Sequence, residues 1–347
     1  MMMRTPLRIL GGVALLLAVA FGLLALQINT LLQPVDIPAA AHGEVFVTIE
    51  PGSPTSGIAA ALQEAGLIRS STVFRYWAKY RAMDHKFKAG NYLLSYGMTI
   101  EEIMKKLVAG DVFRNTVMVT VPEGLTLEQI AERLAASGLV DYEEFFELAS
   151  TAAPALGQVL PGQRYAMEGY LFPDTYEFEE GATAQTILNR LQSQLATVLD
   201  DRLRARAAEL DLSIHQVLTL ASLIEREVQV DSERQLVSAV LHNRLRRKML
   251  LQIDATVIYA LGEHKTVVLY KDLEVDSPYN TYKVAGMPPG PIAAAGRRSI
   301  EAALFPADVD YLYYRAKEDG SGGHYFAKTL AEHNANYSKV QTNRSKR

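Results

Sequence analysis

Two glutamates, two residues apart, close an otherwise apolar helical run, His215-Gln-Val-Leu-Thr-Leu-Ala-Ser-Leu-Ile-Glu-Arg-Glu-Val228. A carboxyl held among Leu218, Ala221 and Val228 at helical spacing around Glu225 loses hydration. That favours its neutral form and raises its pKa toward the value a general acid needs. Glu227 has a similar claim through Leu223, Ile224 and Val230. Successive residues of a helix are about 100° apart, so Arg226 need not neutralise either carboxylate. Periodicity leaves the two glutamates tied, and the plainer alternative is an amphipathic helix whose last turn is solvated.

Other polar residues gather on either side of this run. Downstream stand Ser232-Glu-Arg234, His242-Asn-Arg-Leu-Arg246, Leu251-Gln-Ile-Asp-Ala-Thr256, Ser277-Pro-Tyr-Asn-Thr-Tyr282 and Gly286-Met-Pro-Pro-Gly-Pro291. Upstream, Met167-Glu-Gly-Tyr-Leu-Phe-Pro-Asp-Thr-Tyr-Glu177 joins aromatics, a proline turn and carboxylates, although Glu168 and Asp174 could equally serve turns and caps. Gly320-Ser-Gly-Gly-His324 reads as a turn placing His324 at a pocket rim. His324 and His333 lack the carboxylate spacing of a metal site, and no phosphate-cradling loop or G-x-S-x-G elbow occurs, so neither metal nor cofactor is expected.

The scaffold that must position these groups is exported. Arg4 and Arg8 precede an uncharged apolar run from Ile9 to Leu26, extendable to Leu32, and no Lys or Arg follows until Arg69. A span of about 30 Å takes roughly 20 apolar residues, and the charge bias puts the N-terminus in the cytoplasm. A retained anchor is favoured over a cleaved signal, because the Ala-x-Ala candidates lie inside the run or well beyond it. After a linker from Gln33 to Gly43 comes a strand, Val45 to Glu50, then a Pro-Gly turn and a helix. The phrase recurs. Val47-Thr-Ile-Glu-Pro-Gly52 leads to Ile58, Leu62, Gly66 and Leu67, and Val119-Thr-Val-Pro-Glu-Gly124 to Ile130, Leu134, Gly138 and Leu139, with a weaker copy from Gly97. Apolar residues four apart after a glycine turn define a helix with one buried face. The stretch from about Val45 to Val112 resembles the small LysM-type modules that bind amino-sugar glycans, in length and in strand-helix-helix-strand order. Trp77 with Tyr76 and Tyr80 could stack on sugars, with core packing of Trp77 the favoured role.

Composition narrows the classes. The 347 residues carry 35 basic and 39 acidic side chains, net −4, with 49% hydrophobic residues. This is globular composition with no electrostatic footprint for nucleic acid. There is no cysteine, so disulfides, thiolate catalysis and lipid attachment through cysteine are excluded. The fold class expected is α+β: residues 1–34 as cytoplasmic N-terminus and transmembrane helix, 44–115 as the LysM-like module, 116–338 as a larger α+β catalytic domain, and 339–347 as a solvated, disordered basic tail.

Glu225-Arg-Glu, Asn243-Arg-Leu, Leu251-Gln-Ile-Asp, Tyr279-Asn-Thr-Tyr and Gly286-Met-Pro-Pro-Gly, in this order and with Glu168-Gly-Tyr-Leu-Phe-Pro-Asp-Thr-Tyr176 upstream, resemble the membrane-anchored endolytic murein transglycosylases, the MltG or YceG-like family. The resemblance covers almost the whole chain. It implies cleavage of the β-1,4 bond between N-acetylmuramic acid and N-acetylglucosamine inside nascent peptidoglycan strands, leaving a 1,6-anhydro end. It also implies Glu225 as the acid, which would protonate the leaving oxygen and then accept the proton of the muramoyl 6-hydroxyl, with Glu227 in reserve. Asp254 and Glu168 would be supporting carboxylates. Asn243, Arg244, Gln252, Tyr279, Asn280, Tyr282 and His324 would hold substrate, turn and core roles being the alternative for each. Partners implied are glycan strands, the membrane and peptidoglycan synthases. The competing reading is a non-catalytic, membrane-anchored glycan-binding or assembly protein; hydrolysis would need a second carboxylate, Asp254 or Glu168, to activate water.

Overall fold

The computed structural model describes residues 5–35, 43–263, 265 and 267–345. The chain divides into two compact units, Met1–Asn115 and Thr116–Arg347.

The first unit begins with α1 (Thr5–Leu32), the one described helix long and apolar enough to cross a membrane; its Leu15–Leu32 window has mean hydropathy 2.2 and none of it is buried. Of the linker expected between Gln33 and Gly43, residues 36–42 lie outside the described residues. Then follow β1 (Glu44–Ile49), α2 (Thr55–Glu64), α3 (Ser71–Tyr80), β2 (Gly90–Ser95) and α4 (Ile100–Ala109). β1 and β2 pair antiparallel, Val47 facing Tyr92. Strand alternation sends Val47 and Ile49 inward, onto Leu62, Phe74, Tyr92 and Leu107. Trp77 is half-buried against this core and Tyr76 and Tyr80 are exposed. A strand-helix-helix-strand order is therefore present, with a further helix after it.

The second unit contains β3 (Thr116–Thr120), α5 (Leu127–Ala136), α6 (Tyr142–Thr151), β4 (Thr175–Glu179), α7 (Ala184–Val198), α8 (Asp201–Glu209), α9 (Ile214–Glu227), α10 (Arg234–Arg246), α11 (Asp254–Leu261), α12 (Arg297–Leu304), β5 (Tyr313–Ala316), β6 (His324–Ala327) and α13 (Leu330–Arg344). β3 pairs antiparallel with β4, and β5 with β6. Both copies of the recurring phrase form strand, turn and helix. Gly52 and Gly124 turn the chain at φ +78° and +80°, in the left-handed region that glycine tolerates best.

The second core is organised around α9, whose residues Val217 to Ile224 are all buried. A helix apolar on every face needs neighbours on every side. Here α8, α10, α11 and α12 supply them. Ser213 and Gln216 close its N-terminus with a reciprocal capping box, and Val228, in extended conformation, ends it. The tail departs from expectation. The chain is helical from Leu330 to Arg344, because Thr329 caps the helix, Val340 is buried, and Asn343 donates to the Lys317 carbonyl at 2.7 Å. Residues 346 and 347 lie outside the described residues.

Candidate active site

The last turn of α9 sends three consecutive charged side chains into three environments. Glu225 meets Arg234 at the start of α10, whose Nη1 donates to Oε1 at 3.2 Å, and the Gly296 amide donates to Oε2 at 3.0 Å. The Glu225 side chain is 6% exposed and that of Arg234 12%. This nearly buried carboxylate is taken up by a guanidinium and a backbone N–H, both charge-assisted bonds, and lines neither the pocket of Glu227 nor the one beside Arg226. Arg226 is exposed and donates from Nη1 to the Gly124 carbonyl at 2.8 Å.

Glu227 faces the other way, into an open pocket of about 410 Å³ with Arg244, Gln252, Asp254, Tyr282, Tyr314 and His324. No cation pairs with its carboxyl among the described residues; the Tyr314 hydroxyl of β5 donates to Oε2 at 2.9 Å. Burial, reinforced by the charge of Asp254 and opposed by the Tyr314 hydrogen bond, pushes its pKa up to about 7. Asp254, at the start of α11, is exposed and accepts a short hydrogen bond from the Tyr282 hydroxyl.

The pocket wall is braced from behind. Glu233 is buried, accepts the His324 backbone N–H at 3.0 Å on both oxygens, and lies 2.7 Å from His324 Nδ1. This sets the imidazole from the start of β6. Arg244 spends its donors on the chain, Nε to the Leu312 carbonyl at 2.6 Å and Nη1 to that of Leu251 at 2.8 Å, and stacks over Tyr313. It therefore shapes the wall and carries charge to it. Two buried donors that border the pocket, Arg315 Nε and His333 Nδ1, have no partner among the described residues. Unsatisfied buried polar atoms are scarce in folded proteins, and a pair of them at one opening fits a site completed by ligand.

Six of the residues read from sequence thus converge: Glu227, Asp254, Arg244, Gln252, Tyr282 and His324. Five do not. Glu225 is in its ion pair. Glu168 is 0% exposed, accepting from the Leu127 amide and the Tyr259 hydroxyl, with burial pushing its pKa up to about 8, so it cannot touch a substrate. Asn243 donates to the Val309 and Tyr311 carbonyls. Tyr279 is buried against Tyr259, its hydroxyl accepting from the Arg164 amide. Asn280, fully buried, donates to the Leu273 and Val275 carbonyls. These are loop-organising bonds, the alternative weighed for each, because side-chain amides are as apt for stray carbonyls as for sugars. Sequence reasoning assigned no site role to Tyr314, Glu233, Arg315 or His333. Tyr314 and Glu233 stood in segments already notable, the Tyr311-Leu-Tyr-Tyr314 strand and Ser232-Glu-Arg234, but their facing is a long-range fact.

Residues 47–339 match the model of the YceG-like family. The chain is similar to a Bacillus subtilis protein named endolytic murein transglycosylase, 39% identical over 318 residues, covering 88% of this chain and 87% of that one. It is similar also to a Streptococcus pneumoniae protein of the same name, 32% identical over 329 residues, covering 86% of this chain and 59% of that one. Among solved structures, a yceG-like protein of Listeria monocytogenes superimposes with TM-score 0.60 at 36% identity, covering 85% of this chain and 99% of that one.

Proposed function

Since the chain belongs to the YceG-like family, we propose that it is an endolytic murein transglycosylase whose acid is Glu227 rather than Glu225. The carrying observation is the contrast within α9: Glu227 lines the pocket with its pKa raised to about 7, whereas Glu225 is locked to Arg234 and the Gly296 amide. A general acid needs a proton near neutral pH and access to substrate, and Glu227 meets both conditions.

The reaction follows from one carboxyl. Glu227, protonated, gives its proton to the glycosidic oxygen as the bond from that oxygen to C1 of the muramoyl sugar breaks. The positive charge that develops at C1 and the ring oxygen is met by the Asp254 carboxylate across the pocket. The muramoyl 6-hydroxyl then closes on C1, and its proton goes to the Glu227 carboxylate, restoring the acid. No water is consumed, and the new end is a 1,6-anhydro sugar. His324, held by Glu233, and Gln252 are set to hydrogen-bond sugar substituents.

The remaining assignments rest on the same premise. With α1 as a retained single-pass anchor and Arg4 and Arg8 on the cytoplasmic side, the rest of the chain acts outside the cytoplasm on nascent strands, beside the synthases that make them. The unit from β1 to α4 holds glycan in LysM fashion, in its pocket of about 360 Å³ between the β1–α2 and α3–β2 connections, lined by Gly52, Ser53, Thr55, Asp84 and Phe87. Mass spectrometry of uncrosslinked strands incubated with the full chain tests the reaction. Anhydro-ended fragments, lost with Glu227→Gln, are expected; products heavier by one water would replace the lyase with a hydrolase, and intact co-sedimenting strands would favour a binding protein.

A further inference from the structure

A second pocket, of about 210 Å³, lies between α5 and α11. It shares its boundary with the first. Arg226 and Ala255 line it, and their chain neighbours Glu227 and Asp254 line the catalytic pocket. Consecutive Cα atoms are about 3.8 Å apart, so the two pockets adjoin at the Arg226–Glu227 and Asp254–Ala255 backbone. The end of α9 and the start of α11 form a low ridge between the two.

The lining is wrong for a sugar ring. Sugars prefer an open aromatic face and neutral hydrogen-bonding groups, and here the guanidinium of Arg164 covers the rings of Tyr165 and Tyr259, at 5.1 and 5.5 Å from their centroids. Arg164 is itself held in place, donating to the Tyr259 carbonyl at 2.8 Å and to Glu128 at 3.3 Å. Gly262 makes room for it: a Cβ there would sit 2.9 Å from Nη2. Around this fixed cation stand Arg226 and three carboxylates, Glu128, Glu132 and Glu263. Glu132 has no hydrogen-bond or ion-pair partner among the described residues. Glu128 is paired with Arg164 and Glu263 with Lys265 at 3.2 Å, which leaves Glu132 as the open acid and Arg226 as the exposed cation; charges of both signs suit a zwitterionic chain bearing a free amine.

We propose that this pocket is a subsite for the peptide stem carried by the muramoyl residue at the cleavage point, its ammonium group meeting Glu132 and Glu263 and a carboxylate meeting Arg226. The inference rests on the transglycosylase reading and adds a substrate requirement to it. Stem-bearing strands then bind in register, the muramoyl sugar over Glu227 and its lactyl branch crossing the ridge.

The test compares uncrosslinked strands with the same strands stripped of stems by an amidase, using the full chain in detergent and counting anhydro ends. Stem-bearing strands are expected to be cut about tenfold more efficiently in kcat/KM, the scale of one charged contact. The Glu132→Gln/Glu263→Gln double variant should fall to the stripped-strand rate on both substrates while keeping that rate unchanged. Equal wild-type rates on the two substrates, or equal slowing of both by the variant, would overturn the subsite. Absence of anhydro ends from either substrate would strike the reaction instead. Calorimetric titration of Glu227→Gln with free stem peptide then judges the pocket separately, binding weakened by the double substitution supporting it and absence of binding overturning it.

Discussion

Glu225 and Glu227 sit one residue apart on either side of Arg226 in the same helical turn, and they are built into opposite kinds of site. Glu225 is paired and sealed: Arg234 lies at 3.2 Å and the Gly296 amide at 3.0 Å, with the Glu123 carboxylate nearby and almost no solvent. Around Glu227, burial and the neighbouring Asp254 carboxylate outweigh the hydrogen bonds of the Tyr314 phenol and the Ala255 backbone and raise its pKa to about 7, beside an open pocket. Residue type and helix are shared, so the difference comes from what α10, α11, the start of α12 and the β5–β6 hairpin present. On the proposed reading, what sets the acid apart from the structural carboxylate is a pocket for ligand and no paired cation.

The sharpest way to break this contrast is substitution at both positions. Glu227→Gln should lower the rate of anhydro-end formation by about 10³-fold, within the range for loss of a general acid. Glu225→Gln should keep activity per folded molecule within about tenfold but cost about 2 kcal/mol of stability, because Arg234 loses one of its two carboxylate partners while keeping Asp231. Equal losses of activity from the two variants, with unchanged melting of both, would dissolve the contrast. The pH profile gives a second reading: Glu227 as acid acts only when protonated, so kcat/KM should fall as pH rises through about 7.

Glu168 extends the comparison to a carboxyl that is raised but sealed. Its folded pKa of about 8 stands above the ordinary value of 4.5, so the folded state holds the proton longer than the unfolded chain. Stability from this group is complete below about pH 4.5 and is lost as pH climbs toward 8, by a few kcal/mol at most. Chemical denaturation from pH 5 to 8 should show that decline in the wild type and a flatter curve in Glu168→Gln; parallel curves would refute the assignment.

Smaller effects sharpen the pocket itself. Glu233→Gln should release His324 and lower kcat about tenfold with little change in melting, the scale on which ligand-orienting partners act elsewhere. An unchanged kcat would make Glu233 merely structural. Tyr314→Phe removes the hydrogen bond that opposes the high pKa of Glu227, so the alkaline limb of the profile should move upward. A downward shift would contradict the assigned cause.

Much of this was legible beforehand, in ways that depend on range. The repeated phrase predicted its own structure, because strand alternation, a positive-φ glycine and an apolar stripe are all local; Ile58, Leu62, Ile130 and Leu134 are buried at the expected offsets. The run from His215 to Val228 was visible as a buried helix for the same reason. Periodicity could not separate Glu225 from Glu227, since the deciding partners arrive from Arg234, Gly296, Asp254 and Tyr314, distant on the chain or unpredictable in facing. Asn243, Tyr279 and Asn280 show the complementary error. Their polar groups are needed, but by the carbonyls of the loops beside them.

The junction between α1 and the module after it has a spatial consequence. Arg69 clasps the Pro34 carbonyl from Nε at 3.2 Å and from Nη2 at 2.8 Å, and Leu32, the last residue of α1, packs against the module's core. With α1 in the bilayer, the module is not on a long leash but seated at the lipid surface. If the module holds glycan as proposed, its reach is limited to the strand lying next to the membrane. Two guanidinium hydrogen bonds and one leucine thus act as a short tether that fixes how far the module stands from the end of α1.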